Sequence, residues 1–268
     1  MEGEIAVAKV VPLFSGSKGN SYFVGSSGEG VLIDAGRSAK QLDEALEYCS
    51  INPKSIAAVF VTHEHVDHCS ALRVFAKRHG LKIYASEGTL SAMAEKGFIS
   101  PDNDCEVISD TVDIGNMRII RCDTSHDARE SCIFQVITAD DRRASIATDL
   151  GVMTDSVRDL IRSGDFAVVE SNHDINMLKN GSYPPNVKAR ILSDKGHLSN
   201  EACAAELADF IRCGVFRIML GHISENNNRP ALAVNTSVDM LRSVGMKQDL
   251  DYTLSDVPAV CSGKSILF

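Results

Sequence analysis

The stretch Ala57–His68, AAVFVTHEHVDH, carries the densest chemistry in the chain. Its apolar start, Ala57–Val61, predicts a strand. The strand delivers His63, His65, Asp67 and His68 within six residues. Side chains two apart on an extended segment point the same way, so His63 and His65 share a side and Glu64 faces away from them. Asp67 and His68 open the helix that follows. Neutral imidazole and carboxylate are ligands of borderline and hard divalent cations such as zinc, manganese or iron. The pattern therefore predicts a metal site fed by a strand end.

Working outward, apolar runs predict further strands at Val31–Ile33, Leu81–Tyr84, Met117–Ile120, Ile133–Ile137, Ser145–Ala147, Phe166–Val169 and Phe216–Leu220. Helices fit at about 38–49, 68–79, 154–163, 200–212 and 230–244. Gly80 and Gly214 sit where the second and fourth would stop, and Pro230 opens the last. This alternation reads as one α/β domain over residues 1–268 with mixed sheets. The segment 172–200 is the longest without a clear element and is a candidate substrate-facing loop. Ser15–Asn20, SGSKGN, lacks the spacing of a phosphate-binding Walker loop. It reads as a tight hairpin in which Gly16 and Gly19 supply unusual backbone angles, with Ser15 or Asn20 open as substrate contacts.

Lys and Arg number 27 against 36 Asp and Glu, a net charge of −9 over 268 residues. A globally basic nucleic-acid binder is excluded, so a phosphate-bearing partner must meet local cations or a metal. With no Trp and 6% aromatics, a large base-stacking platform is not favoured either. None of the eight cysteines forms a C-x-x-C pair, which leaves reduced, half-buried thiols as their reading. The N-terminal MEGEIAVAKVVPLF shows no secretory signal, and no apolar run approaches the roughly 20 residues that span a bilayer. A cytoplasmic protein is expected.

H-x-H-x-D-H resembles the signature of the metallo-β-lactamase superfamily, and the resemblance extends over about residues 10–225. It implies a four-layer αββα sandwich and two divalent ions, zinc, manganese or iron. The superfamily's later ligands match His126 in RCDTSHDA, Asp149 in SIATDLG and His222 in FRIMLGHIS. By this resemblance His63, His65 and His126 hold one ion, while Asp67, His68 and His222 hold the other and Asp149 bridges them. Asp34 in VLIDAG matches the aspartate that braces the motif loop. Two ions about 3.5–4 Å apart activate a hydroxide nucleophile and clamp a phosphoryl or carbonyl oxygen.

SGSKGNSYFV, TSHDA, ESNHD and GHLSNEACA, in that order, resemble the YycJ/WalJ-like branch of DNA exonucleases. That resemblance implies a nucleic-acid substrate, 5′ to 3′ polarity and catalytic roles for Asp67, Glu170 and His197. Glu170 and His197 also look like the dyad of ribonuclease Z, in which a Glu-held His protonates the leaving group. His197 otherwise reads as a residue at a helix start, beside the cap Ser199. His173 is open between substrate contact, support of the dyad and a loop hydrogen bond. Lys179, Lys188, Arg190 and Lys195 read either as a strip for backbone phosphates or as a solvated face. His79, at a helix end, reads as a surface residue. The net charge favours the alternative of a small-molecule hydrolase of the same fold, acting on a cyclic phosphodiester, thioester or lactone. A metal-dependent scaffold or redox protein is a third reading, disfavoured by the complete ligand set and the lack of an electron-carrier domain. Oligomeric state is not legible.

Overall fold

The apolar runs pair into two mixed seven-stranded sheets. A computed structural model of the chain describes residues 7–26 and 28–268, so the first six residues of the N-terminal stretch lie outside it. The element order is β1 (Lys9–Phe14), β2 (Ser21–Ser26), β3 (Glu29–Ile33), α1 (Ala39–Tyr48), β4 (Ile56–Phe60), α2 (Val66–Cys69), α3 (Leu72–His79), β5 (Lys82–Ala85), α4 (Glu87–Glu95), β6 (Cys105–Val107), β7 (Thr111–Ile114), β8 (Met117–Asp123), β9 (Cys132–Ile137) and β10 (Arg143–Ala147). It continues with α5 (Asp155–Arg162), β11 (Phe166–Glu170), α6 (Ile175–Asn180), α7 (Pro185–Ile191), α8 (Asn200–Arg212), β12 (Arg217–Gly221), α9 (Pro230–Ser243), β13 (Thr253–Asp256) and β14 (Ile266–Leu267). The sheets run β14-β1-β2-β3-β4-β5-β6 and β13-β12-β11-β10-β9-β8-β7. Two compact units divide the chain: residues 1–121 with 128–144 and 258–268, and residues 122–127 with 145–257.

In the first unit, β1, β2 and β3 form an antiparallel meander, and β3 to β6 run parallel. Leu42 and Leu46 of α1 and Leu72 and Phe75 of α3 pack in one core with Leu32, Val59 and Ile83 of the sheet. Each such side chain contributes about 1.5–3 kcal/mol when fully buried. Ser38 starts α1 through a capping box with Gln41. The loop before β2 is the expected hairpin connection. Gly16 has φ +126, as anticipated, but Gly19 does not lie in the left-handed region. Its glycine is required for space, since a Cβ would sit 2.9 Å from the Arg37 amide nitrogen.

The helix anticipated over 68–79 is two helices, α2 and α3. The break follows from diverted hydrogen bonds. The Asp67 carbonyl, which would accept from Ala71 in a continuous helix, accepts instead from Asn20 N–H at 2.7 Å. The His68 carbonyl accepts from Ala35 N–H at 2.8 Å, and Ala71 N–H donates to the Ala35 carbonyl at 2.9 Å. The end of β3 thus grips the ligand-bearing turn.

In the second unit, β11, β12 and β13 are parallel. Helix α8 buries Cys203, Leu207, Phe210 and Ile211, and Ser199 caps it. Arg158 and Arg162 of α5 pair with Glu206 and Asp209 of α8. The segment 172–200 is not the irregular loop anticipated, because it holds α6 and α7. Asp174 caps α6 and Pro185 opens α7. Helices of six and seven residues are too short for a readable apolar period. All eight cysteines are free. No helix among the described residues is long and apolar enough to cross a membrane.

Gly36 tests the grip on the motif turn. A Cβ there would meet the Asp67 carbonyl oxygen at 2.0 Å and the Asn20 nitrogen at 2.5 Å, both backbone atoms. Gly36→Ala should cost about 1–3 kcal/mol of stability by overpacking. A urea midpoint equal to wild type would show that this backbone yields freely.

Candidate metal centre

Chain segment 61–65 continues from β4 in extended form and ends at His65, which stands at the N-terminal cap of α2 with φ −74 and ψ 151. His63 and His65 therefore face one another as their spacing requires, with His63 Nε2 3.0 Å from His65 Nδ1. Thr62 fixes the first ring. Its hydroxyl lies 2.9 Å from Asp34 Oδ2, to which it donates, and 3.0 Å from His63 Nδ1. Having donated its one proton, it accepts from His63 Nδ1–H, and His63 Nε2 is left as the basic nitrogen. His68 is held likewise: its Nδ1 lies 2.8 Å from Asp34 Oδ2, which turns Nε2 toward Asp67 Oδ2 at 3.5 Å.

Asp34 is fully buried and takes φ +63 at the end of β3. Its carboxylate also accepts the Thr62 N–H at 2.8 Å. Burial pushes its pKa above the ordinary carboxylate value, against the pull of His68 and Thr62. Asn20, also fully buried, sets its side-chain amide 3.2 Å from Asp67 Oδ2 and 3.0 Å from His68 Nε2. It is a brace for the motif. Ser15 is 4% exposed and accepts from the Tyr22 hydroxyl at 2.9 Å. Glu64 faces elsewhere: its carboxylate accepts the Arg129 N–H at 3.0 Å and lies 3.7 Å from Lys96 Nζ. His79 lies 2.7 Å from Asp43 Oδ1, at the surface end of α3.

The second unit gathers the other candidates. His126 Nδ1 donates to the Gly196 carbonyl at 2.9 Å, which leaves Nε2 3.7 Å from Asp149 Oδ1. His222 and His197 both turn Nδ1 to Glu170 Oε1, each at 2.8 Å. Asp149 Oδ1 lies 3.4 Å from His222 Nδ1. Asp149 and His222 adopt φ +60 and +52, left-handed conformations just after β10 and β12. Glu170 Oε2 accepts the backbone N–H of Leu150 at 2.8 Å and of Leu198 at 3.1 Å. Four donors reach the carboxylate and two of them fix the rings of His197 and His222, while Asp149, Glu170, His197 and His222 also lie close enough together to hold a metal ion. Burial raises its pKa, but the attraction and hydrogen bonds of His197 and His222 prevail and hold it at about 2.

The donor set fits a divalent cation. In each unit, imidazole nitrogens and carboxylate oxygens converge, and the opposite nitrogen of His63, His68, His126 and His222 is engaged by a fixed partner. His197 differs, being partly exposed, with its side chain 14% accessible. His173 is 1% exposed, and its Nδ1 finds no hydrogen-bond partner among the described residues. Burial lowers its pKa, disfavouring the charged ring. Arg190 is clamped on Asp127, with Nη2 2.8 Å from Oδ1, whereas Lys188 Nζ donates only to the Lys179 carbonyl at 2.8 Å. Thr62 and Asn20 are the bracing residues that spacing alone did not assign. The signal for Thr62 was its place directly before the first His.

Two outcomes follow. Asp34→Ala removes the acceptor that turns His68 and should weaken metal affinity about 10- to 100-fold, read by chelator competition. The depressed Glu170 pKa stabilises the fold fully above its ordinary value of 4.5, and that stability fades as pH falls toward 2. With chelator in both samples, the urea midpoint of wild type should fall more steeply over that window than that of Glu170→Gln. Parallel curves would mean that the Glu170 pKa is not depressed.

Residues 30–223 match the family described as beta-lactamase superfamily domain. The chain is 35% identical over 235 residues to exodeoxyribonuclease YycJ of Bacillus anthracis, covering 87% of this chain and 89% of that one. It is 33% identical over 248 residues to exodeoxyribonuclease WalJ of Streptococcus pneumoniae serotype 2 (strain D39 / NCTC 7466), covering 91% and 92%. Its fold is similar to the metallo-beta-lactamase fold protein YhfI of Bacillus subtilis, with a TM-score of 0.72, 15% identity and coverage of 98% and 100%. The α/β class anticipated from the sequence is therefore the metallo-β-lactamase fold. The chain belongs to the beta-lactamase superfamily and, within it, to the family of the YycJ and WalJ proteins.

Proposed function

We propose that the chain is an exodeoxyribonuclease that hydrolyses DNA phosphodiesters with two divalent ions, zinc, manganese or iron, in the 5′ to 3′ direction. The relatives YycJ and WalJ, both named exodeoxyribonucleases, support the substrate class. The observation that carries the reading is the shared carboxylate oxygen. Glu170 Oε1 holds both His222, a ligand candidate, and His197, a partly exposed proton donor, at 2.8 Å.

In this reading His63, His65 and His126 would hold one ion and Asp67, His68 and His222 the second, with Asp149 available to both. The ions, when bound, lower the pKa of water and neutralise charge on the phosphoryl oxygens. His197 keeps Nδ1–H on Glu170 and directs Nε2–H to the departing 3′ oxygen. An alkoxide is a poor leaving group, so this proton is worth about 10²–10⁴ in rate. The ionised Glu170 stabilises the imidazolium before the proton is given up. Asp67 is a ligand and, through its charge, part of the catalytic centre. Lys188, with Lys179 and Lys195, meets backbone phosphates, since none of the three has a carboxylate partner among the described residues. Arg190 joins them only by releasing Asp127. His173 supports the loop after Glu170 through its backbone.

The test is a time course on 5′-phosphorylated, end-labelled duplex DNA with manganese or zinc, beside a chelator control and Asp67→Ala. Metal-dependent release of mononucleotides, lost in the variant and in chelator, is the expected result, and the label gives polarity. A duplex left intact with every metal, while a small activated phosphodiester or thioester is cleaved, would replace this reading with the small-molecule hydrolase that the net charge of −9 favours.

A further inference from the structure

Behind Glu170 lies an enclosed cluster of side-chain amides. Asn200 is 0% and Asn228 3% exposed. They form a reciprocal pair: Asn200 Nδ2 donates to Asn228 Oδ1 at 3.0 Å, and Asn228 Nδ2 donates to Asn200 Oδ1 at 2.8 Å. Asn228 Nδ2 also lies 3.0 Å from the carbonyl oxygens of Ser171 and Asn172, the two residues that follow Glu170. Its Oδ1 accepts the Arg229 N–H at 2.8 Å. The Ser171 hydroxyl donates to Asn200 Oδ1 at 2.7 Å, and Asn172 Nδ2 donates to the His222 carbonyl at 2.9 Å.

Three distant segments meet on this cluster: 171–173 after Glu170, 198–200 after His197, and 222–228 beginning with His222. Backbone bonds reinforce the meeting. Asn172 N–H donates to the Leu198 carbonyl and Ser224 N–H to the Asn172 carbonyl, each at 2.9 Å. Apolar side chains would fill the same volume more cheaply, because buried amides cost stability unless every group is paired. What amides add is direction. Beside the direct bonds of Leu150 and Leu198 to the carboxylate, bonds aimed at the Ser171 and Asn172 carbonyls fix the backbone that carries Glu170 toward His197.

We propose that Asn228, acting with Asn200 and Ser171, is a positioning residue for the Glu170–His197 pair, setting the angle at which His197 presents its proton. The proposal rests on the reading of His197 as proton donor to the leaving group. Asn228→Asp keeps the shape and the acceptor toward Arg229 but removes the donors to both carbonyls. Ser171→Ala removes a single bond and serves if the first variant does not fold.

The metal-loaded variants, with circular dichroism and metal content checked, are assayed on two substrates. One is DNA, whose alkoxide needs a proton; the other is a thymidine p-nitrophenyl phosphodiester, whose leaving group does not. Asn228→Asp should lose about 10- to 100-fold in kcat on DNA, with KM unmoved. Its loss on the nitrophenyl ester, which reads only the shared hold on His222, should be several-fold smaller. Equal losses on both substrates, or none on either, overturn the proposal. A proton NMR readout needs no turnover. The downfield Nδ1–H signal of His197, assigned by its loss in His197→Ala, should shift in Asn228→Asp, and an unmoved signal also overturns the proposal. If wild type cleaves no DNA, the nuclease reading fails, while this signal still decides the role of Asn228.

Discussion

Four of the candidate imidazoles have one ring nitrogen seated on a fixed neighbour: Thr62 for His63, Asp34 for His68, the Gly196 carbonyl for His126 and Glu170 for His222. The candidate site within each unit depends on this seating. It decides which nitrogen stays basic and where its lone pair points, and so converts a set of histidines into a coordination geometry. Two of the seats are carboxylates that are wholly buried, and a buried charge must be matched by donors. Glu170 collects four and stays ionised far below its usual range, whereas Asp34 has one imidazole and Thr62 and is pushed the other way by burial. The same residue class, at the same depth, is thus tuned in opposite directions by the number of donors it meets.

The backbone carries part of this cost. Asp34, Asp149 and His222 all lie in the left-handed region, each directly or shortly after a strand. Asp and His tolerate that region better than most residues, yet it still costs on the order of 1–3 kcal/mol each. A left-handed residue turns the chain sharply, so the side chain projects from the strand end rather than along the sheet face. The strain places the ligands; the hydrogen-bonded rings and carboxylates around them hold it.

Much of this was legible because it is local. The spacing in THEHVDH fixes the shared direction of His63 and His65 without reference to the rest of the chain, and the strand and helix cores follow from apolar runs. His126, Asp149 and His222 were singled out by family likeness, since nothing in their immediate neighbours marks them as candidate ligands. Asn20 was open as a substrate contact and Thr62 stood beside the first His, but their bracing roles exist only once β3 and the β1–β2 loop arrive. The strand β1 was masked by Pro12 within its run, where a bulge follows, and the short β6, β7 and β13 carry too few apolar residues to announce themselves. In 172–200 Asp174 caps α6 and Pro185 opens α7, but these helices are shorter than a reliable period.

The diverted hydrogen bonds between α2 and α3 have a consequence for the order of assembly. The Asp67 and His68 carbonyls are satisfied by Asn20 and Ala35, residues more than thirty positions earlier, rather than by the next turn of helix. The ligand turn therefore has no stable local form of its own. Until the amino-terminal meander has closed, residues 63–68 are a loose string of donors with no preferred geometry. The geometry of residues 63–68 is therefore acquired from long-range closure of the meander onto the turn, and its partners Asn20 and Ala35 are already present when the motif is synthesised.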